Sequence, residues 1–216
     1  MGNPHGPAHL INVAQNHFSH PKTKAFGIDI LINNAGVAAS SRVGNVDVDS
    51  FHRVYDVNVL GPLLLVQAAL PFLPQDRSGR IVNLSSVSSS LGLPGQSIYA
   101  GTKAALEGMT RVWARELAER ATVNAVNPGP VATDMYHGTS TDFKQEAMKP
   151  WVVNAPLMRA REGVDSKEVV EMAREEGGRY AYDHEIAGVV GMLCSEESGW
   201  CTGSVVCANG GMRYSI

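Results

Sequence analysis

Four short apolar runs punctuate the chain, and each stops at small or turn-forming residues. Ile28 to Asn33 (IDILIN) stops at Asn34-Ala35-Gly36, and Gly79 to Ser85 (GRIVNLS) stops at Ser85-Ser86. Thr122 to Asn127 (TVNAVN) stops at Pro128-Gly129-Pro130, and Ser204 to Asn209 (SVVCAN) stops at Gly210-Gly211. Continuous apolar runs without polar alternation suit strands covered on both faces. Longer segments with helical spacing lie between them: Ala8 to Phe18, Asp49 to Leu73, Ser97 to Arg120 and His184 to Ser195, the last with Asp183 as N-cap. Strand, helix, strand, helix predicts an α/β domain built on a parallel sheet. With 216 residues and no repeat, one domain is expected over residues 1–216.

One stretch breaks the rhythm. From Thr133 to Tyr182 no strand is expected, and Asp142 to Met148 and Ser166 to Glu176 read as helices. A long insertion of this kind, at about residues 134–182, is expected to be a lid over a substrate rather than a plain connector. It carries Met135, Tyr136, Phe143, Met148, Trp151, Leu157 and Met158, which suits a bulky apolar substrate such as a secondary metabolite.

Composition excludes other classes. A net charge of -3 and the lack of a long basic run argue against nucleic acid as a partner. The longest apolar run, Leu63 to Leu73, is broken by Gln67 and Pro71 and is too short to span a bilayer, so no membrane role is expected. No signal-peptide pattern opens the chain, and Gly6 stands where a myristoylation motif wants Ser or Thr, so a cytoplasmic protein is expected. Cys194, Cys201 and Cys207 lack metal or disulfide spacing and are expected to be small buried hydrophobes. The Asn83-Leu84-Ser85 sequon falls inside a strand and is discounted. His5 and His9 lack nearby carboxylate or thiol partners, so no metal site is expected; Pro7 between them argues for an irregular start.

Tyr99-Ala100-Gly101-Thr102-Lys103 is the sharpest local motif. Tyr and Lys at i and i+4 share one helix face. A nearby ammonium favours phenolate, so Lys103 is expected to lower the Tyr99 pKa toward neutrality. Ser86, thirteen residues earlier, ends a strand and offers a hydroxyl to a carbonyl oxygen gaining charge. Ligands of doubly wound sheets bind beyond the carboxyl ends of the strands. Asn34, Ser86 and the Pro128-Gly129 turn would therefore face one crevice.

In these motifs the chain resembles the classical short-chain dehydrogenase/reductases. The likeness runs from Ile28 onward: NNAG at Asn33 to Gly36, Asn58 within DVNVLGP, GRIVNLSS ending at Ser86, Tyr99-x-x-x-Lys103, NPGPVATDM from Asn127, and TGSVVCANGGM from Thr202. The resemblance implies a Rossmann-like doubly wound parallel sheet and a secondary alcohol/ketone oxidoreductase using NADP or NAD. It implies that Tyr99 transfers the proton and contacts the cofactor, Lys103 assists it and bonds the nicotinamide ribose, Ser86 holds the substrate oxygen, and Asn58 bends its helix and holds a relay water. It places Asn34, Ala35 and Gly36 beside the adenosine and ribose, the Pro128-Gly129 turn at the same crevice, and Val131 and Thr133 by the carboxamide and pyrophosphate. It also implies a homo-oligomer, dimer or tetramer, formed through helices whose outer faces would include Leu63, Leu70, Met109 and Trp113.

The family opens with a strand and a T-G-x-x-x-G-x-G turn that this sequence does not show; Gly2-x-x-x-Gly6-x-Ala8 matches in letters only. The expectation is an N-terminally incomplete fold with the first three strands absent, about 60 residues by the size of βαβ units. The strand at IDILIN would then be an open, apolar edge. The rival expectation is a catalytically silent fragment that acts only through subunit association.

Overall fold

The structure is a computed structural model and describes residues 2–214. Its helices and strands follow in the order α1 (Gly6–Phe18), β1 (Ile30–Asn33), α2 (Val48–Tyr55), α3 (Gly61–Ala69), β2 (Gly79–Leu84), α4 (Ser88–Leu91), α5 (Ser97–Glu116), β3 (Ala121–Pro128), α6 (Asp134–His137), α7 (Lys149–Val152), α8 (Lys167–Glu176), α9 (Asp183–Cys194) and β4 (Val205–Ala208). Among the described residues the strands form one sheet in the order β1-β2-β3-β4, parallel throughout. All four coincide with the apolar runs.

Alternate side chains of each strand enter separate cores. Ile81 and Val123 join Leu65, Val66, Ala69, Leu106 and Trp113 under α1, α3 and α5. Val82 and Val126 face the other way and meet Leu193 of α9, with Ile186, Val190 and Val206 packed around them. Helices thus cover both faces of the sheet, as a doubly wound architecture requires. Trp113 is buried in the first core and Met109 packs against it, which corrects the expectation that both lie on an outer face. Trp113 follows Met109 and Leu106 around the inward stripe of α5, and full burial of a side chain that size contributes about 3 kcal/mol.

Polar ties hold the layers in register. Asn33 Nδ2 donates to Asn83 Oδ1 at 2.7 Å, Asn83 Nδ2 donates to Thr110 Oγ1 at 2.8 Å, and Thr110 donates onward to the Leu106 carbonyl. Adjacent strands and α5 are linked through one buried chain of amides and hydroxyls. Asn83 is wholly buried, in agreement with discounting the sequon. Arg80, also buried, donates from Nε to the Ser195 carbonyl beyond the end of α9 and from Nη1 to the carbonyls of Arg77, Ser78 and Gly79.

Gly79 opens β2 where the backbone of Arg120 passes close. A Cβ there would lie 2.7 Å from the Arg120 carbonyl oxygen and 3.0 Å from Ala121 Cβ. The Gly79→Ala variant is expected to lose about 1–3 kcal/mol of stability, read as a lower midpoint in urea unfolding.

Several expectations need correction. Pro7 does not leave the start irregular: it sits in the first turn of α1, where a missing N–H costs nothing. The N-cap of α9 is Tyr182 rather than Asp183, because Glu185 reaches back to accept from the Tyr182 N–H at 2.8 Å. Val48 to Phe72 forms one continuous helical stretch of 25 residues, long and apolar enough to cross a membrane by length and composition. Here it is a core element that buries Val54, Asn58, Leu65, Val66 and Ala69. It is also not uniform, since Asp56–Leu60 is wound as a π-helix. The three cysteines are free and half-buried rather than fully buried, Cys194 and Cys201 flanking the α9 core.

The segment from 134 to 182 contributes no strand, as expected. It folds into α6, a π-helical turn at Phe143–Met148, α7, a 3-10 turn at Pro156–Met158 and α8. Met148, Val152, Ala155 and Met158 pack with Val87, Leu93 and Met212, so the segment rests on the loop after β2 and on the C-terminal residues.

Candidate active site

One cavity of about 860 Å³ opens beyond the carboxyl ends of the strands. The loop after β1 supplies Asn34, Ala35 and Gly36 to its wall, and the end of β2 supplies Ser86. Helix α5 supplies Tyr99 and Lys103, and the turn after β3 supplies Pro128, Gly129, Val131 and Thr133. Every site residue expected from the sequence lines this space except Asn58, which lies buried beneath the floor.

Asn58 is committed to backbone and helix contacts. Its Nδ2 donates to the Val37 carbonyl at 2.8 Å and to Thr102 Oγ1 at 3.1 Å, while its Oδ1 accepts from Val37 N–H at 2.9 Å. The side chain therefore clips the loop after β1 to α5 at the residue preceding Lys103. Asn58 lies at the centre of the π-helical stretch Asp56–Leu60. Gly36 lies against both groups: a Cβ there would be in ordinary contact with Asn58 Oδ1 at 3.4 Å and Lys103 Nζ at 3.6 Å.

Lys103 is buried and donates from Nζ to the Leu84 carbonyl at 2.7 Å. An ammonium has three donors, so two stay available to the cavity. Burial lowers its pKa from 10.5 to about 8. Its Nζ stands 5.5 Å from the centre of the Tyr99 ring.

Tyr99 departs from the sequence expectation. Burial raises its pKa above the ordinary value near 10, and the Ser86 hydroxyl pulls it only partly back. Loss of water around the phenol dominates, so Tyr99 holds its proton at neutral pH. Ser86 is itself oriented. Its Oγ accepts from the Ser88 N–H at 3.2 Å, which leaves its own proton free to be donated toward Tyr99 or a substrate oxygen.

The segment from 134 to 182 supplies part of the wall. Met135, Tyr136, Thr139, Phe143 and Met148 face the cavity. Trp151 and Leu157 do not; they stand at the surface, 40% and 70% exposed, and Met158 is buried in the core beneath. Their spacing in sequence resembles that of the lining residues, but the turns at Lys149–Val152 and Pro156–Met158 rotate them away. Sequence reasoning missed Gln96, Ser88 and the α9 residues Ile186 and Val190, which also line the cavity. Gln96 stands three residues before Tyr99, a position the helical pattern could have marked.

The donor set fits a nicotinamide dinucleotide: a Gly-backed cradle at Gly36, a buried cation at Lys103 and apolar walls beside them. Residues 12–174 match the family model described as enoyl-(acyl carrier protein) reductase. The chain is 52% identical to the L-xylulose reductase of Aspergillus niger over 221 residues, covering 95% of this chain and 74% of that one. It is 56% identical to the L-xylo-3-hexulose reductase of Hypocrea jecorina over 208 residues, covering 89% and 68%. Among solved structures, a short-chain dehydrogenase/reductase from Brucella melitensis, titled glucose/ribitol dehydrogenase, superimposes with a TM-score of 0.78 at 27% identity over 99% of this chain and 74% of that one. A blue fluorescent protein from a metagenomic library, solved with NADPH, superimposes with a TM-score of 0.75 at 27% identity, covering 99% and 73%. The chain belongs to the short-chain dehydrogenase/reductase family, whose oxidoreductases interconvert secondary alcohols and ketones with NAD(P)(H).

Proposed function

We propose that this chain reduces the keto group of an open-chain ketose, with Tyr99 as the proton donor. The observation that carries the reading is the convergence of Ser86, Tyr99 and Lys103 on one cavity beyond the strand ends. Bound nicotinamide supplies the hydride. Ser86 directs its hydroxyl at the substrate oxygen as charge builds there. Tyr99 gives that oxygen a proton, and Lys103 stabilises the phenolate left behind. Asn34, Ala35, Gly36, Pro128, Gly129, Val131 and Thr133 hold the dinucleotide, with Asn58 setting the position of the loop and of α5.

A ketose is preferred to the bulky apolar ketone expected from the lid. Two relatives above 50% identity are named for ketoses. Ser88, Gln96 and Thr139 add polar groups to the wall, while Trp151 and Leu157 add nothing to it. Turnover of NADPH and NADH with L-xylulose, beside a bulky cyclic ketone, tests this. Faster turnover of the bulky ketone would refute it.

The ionisation states set a pH dependence. Reduction needs protonated Tyr99 and is helped by charged Lys103. Its rate is expected to fall as pH rises through about 8, where Lys103 loses its proton. Alcohol oxidation needs phenolate, which grows in population toward the raised Tyr99 value, so its rate should rise at the alkaline end. Steady-state rates in both directions from pH 6 to 10 check the crossing, with those limits bracketing roughly two units around the Lys103 value.

The open edge of the sheet supports a further part of the proposal. Ile30 and Ile32 of β1 are 49% and 43% exposed and line the mouth of the cavity. Strands beyond β1, from further residues or another chain, would cover them and complete the dinucleotide site. The same edge favours the second reading, a silent chain acting through association, in which Leu63 and Leu70, both exposed, serve the subunit contact. Nucleotide binding by the isolated chain separates the two.

A further inference from the structure

Tyr99, Lys103 and Glu107 stand at i, i+4 and i+8 on α5, so they share one face. The first two face the cavity. Glu107 faces the loop after β2 instead. Its Oε1 accepts from Ser85 Oγ at 2.6 Å and from Ser89 Oγ at 2.7 Å. Those two serines bracket Ser86. The Ser86 carbonyl accepts from the Ser89 N–H at 3.0 Å, and its hydroxyl accepts from the Ser88 N–H. Lys103 Nζ grips the same strand end one residue earlier, at Leu84. A single helix thus holds the loop on both sides of Ser86 and carries Tyr99 as well.

We propose that Glu107 is a positioning residue that fixes the Ser86 hydroxyl relative to Tyr99 by anchoring the serines on either side. The inference rests on the reading that Ser86 and Tyr99 act on the substrate oxygen. A carboxylate suits the task because one oxygen accepts two hydroxyl donors at once, in short charge-assisted bonds. Its loss frees the loop without removing any group that touches substrate. Misplacement of a reacting group by about 1 Å can cost 10²-fold in rate.

The Glu107→Ala variant is expected to lower kcat by about 10- to 100-fold, while KM for the nicotinamide cofactor changes by less than about 3-fold. Glu107→Gln keeps an oxygen that accepts both hydroxyls and should recover kcat to within about 3-fold of the native chain. The Ser85→Ala/Ser89→Ala double variant removes the same bonds without altering α5. It should match Glu107→Ala, and combining all three changes should add little. A Gln variant as slow as the Ala variant, or full additivity, would overturn the proposal.

A second readout does not depend on turnover. Ultraviolet titration of phenolate, taken as the difference between each chain and its Tyr99→Phe counterpart, isolates the Tyr99 ionisation. In Glu107→Ala that ionisation should move to higher pH, because the Ser86 hydroxyl that lowers it is no longer held in place. It should return in Glu107→Gln. A Tyr99 titration unmoved by Glu107→Ala would contradict the proposal even in a chain that reduces no ketose, whereas a native chain without turnover but with the expected shift would refute only the functional reading.

Discussion

Replacing Tyr99 by Phe is expected to cut ketone reduction by about 10³-fold, within the range that general acid catalysis supplies. The substitution deletes one oxygen and keeps the ring, so packing on α5 changes little. The Tyr99 phenol is protonated at neutral pH and stands next to an oriented serine hydroxyl. Without it the developing alkoxide loses the proton donor seated beside Ser86, and a serine hydroxyl is too weak an acid to hand over a proton in its place. Cofactor affinity should stay within about 3-fold, because Lys103 and the Gly36 cradle are untouched; the loss then sits in kcat and not in KM. Steady-state kinetics on the variant, with thermal unfolding as the control, check both parts.

The second large effect is on stability. Asn58→Ala is expected to cost on the order of 3 kcal/mol. Asn58 is 1% exposed and its amide makes three bonds, two with the Val37 backbone and one with Thr102. Alanine leaves the N–H and C=O of Val37 without those partners in a site that water reaches poorly. It also frees the loop carrying Asn34 to Gly36 from α5, so cofactor affinity should fall with stability. Asn58→Asp, of nearly equal volume, still accepts from Val37 N–H but places a carboxylate against the Val37 carbonyl. It should be as damaging as alanine. Urea unfolding of both variants provides the measurement.

Much of the fold was legible because the four strands are continuous apolar runs ended by turn residues, a pattern that burial on both faces imposes. Helix bounds were less so. The π-helical winding at Asp56–Leu60 leaves no periodic mark over five residues, and the bonds from Asn58 at its centre to Val37 join segments 21 residues apart. Trp113 read as an outer-face residue since its large ring fits an interface as well as a core; only the packing of α5 on β3 decides. The cavity residues were legible wherever a motif fixed them to a strand end or to the Tyr-Lys face. Trp151 and Leu157 were misread because residue type carries no information on which way a short turn rotates them.

Ionisation was the least legible property. The i, i+4 spacing is correct for Tyr99 and Lys103, but spacing does not report burial, and burial reverses the sign of the Tyr99 shift. Glu107 shows the same limit. Its place on the Tyr-Lys face is visible in sequence, whereas its partners Ser85 and Ser89 lie in a polar run that offers no reason to choose among its members.

The most direct test is a calorimetric titration of the purified chain with NADPH and NADH, beside the Lys103→Ala variant. Saturable binding at one site, weakened at least about 10-fold by the loss of Lys103, a step of about 1.4 kcal/mol, is the expected result. A folded chain that takes up neither nucleotide would contradict the assignment of the cavity as a dinucleotide site.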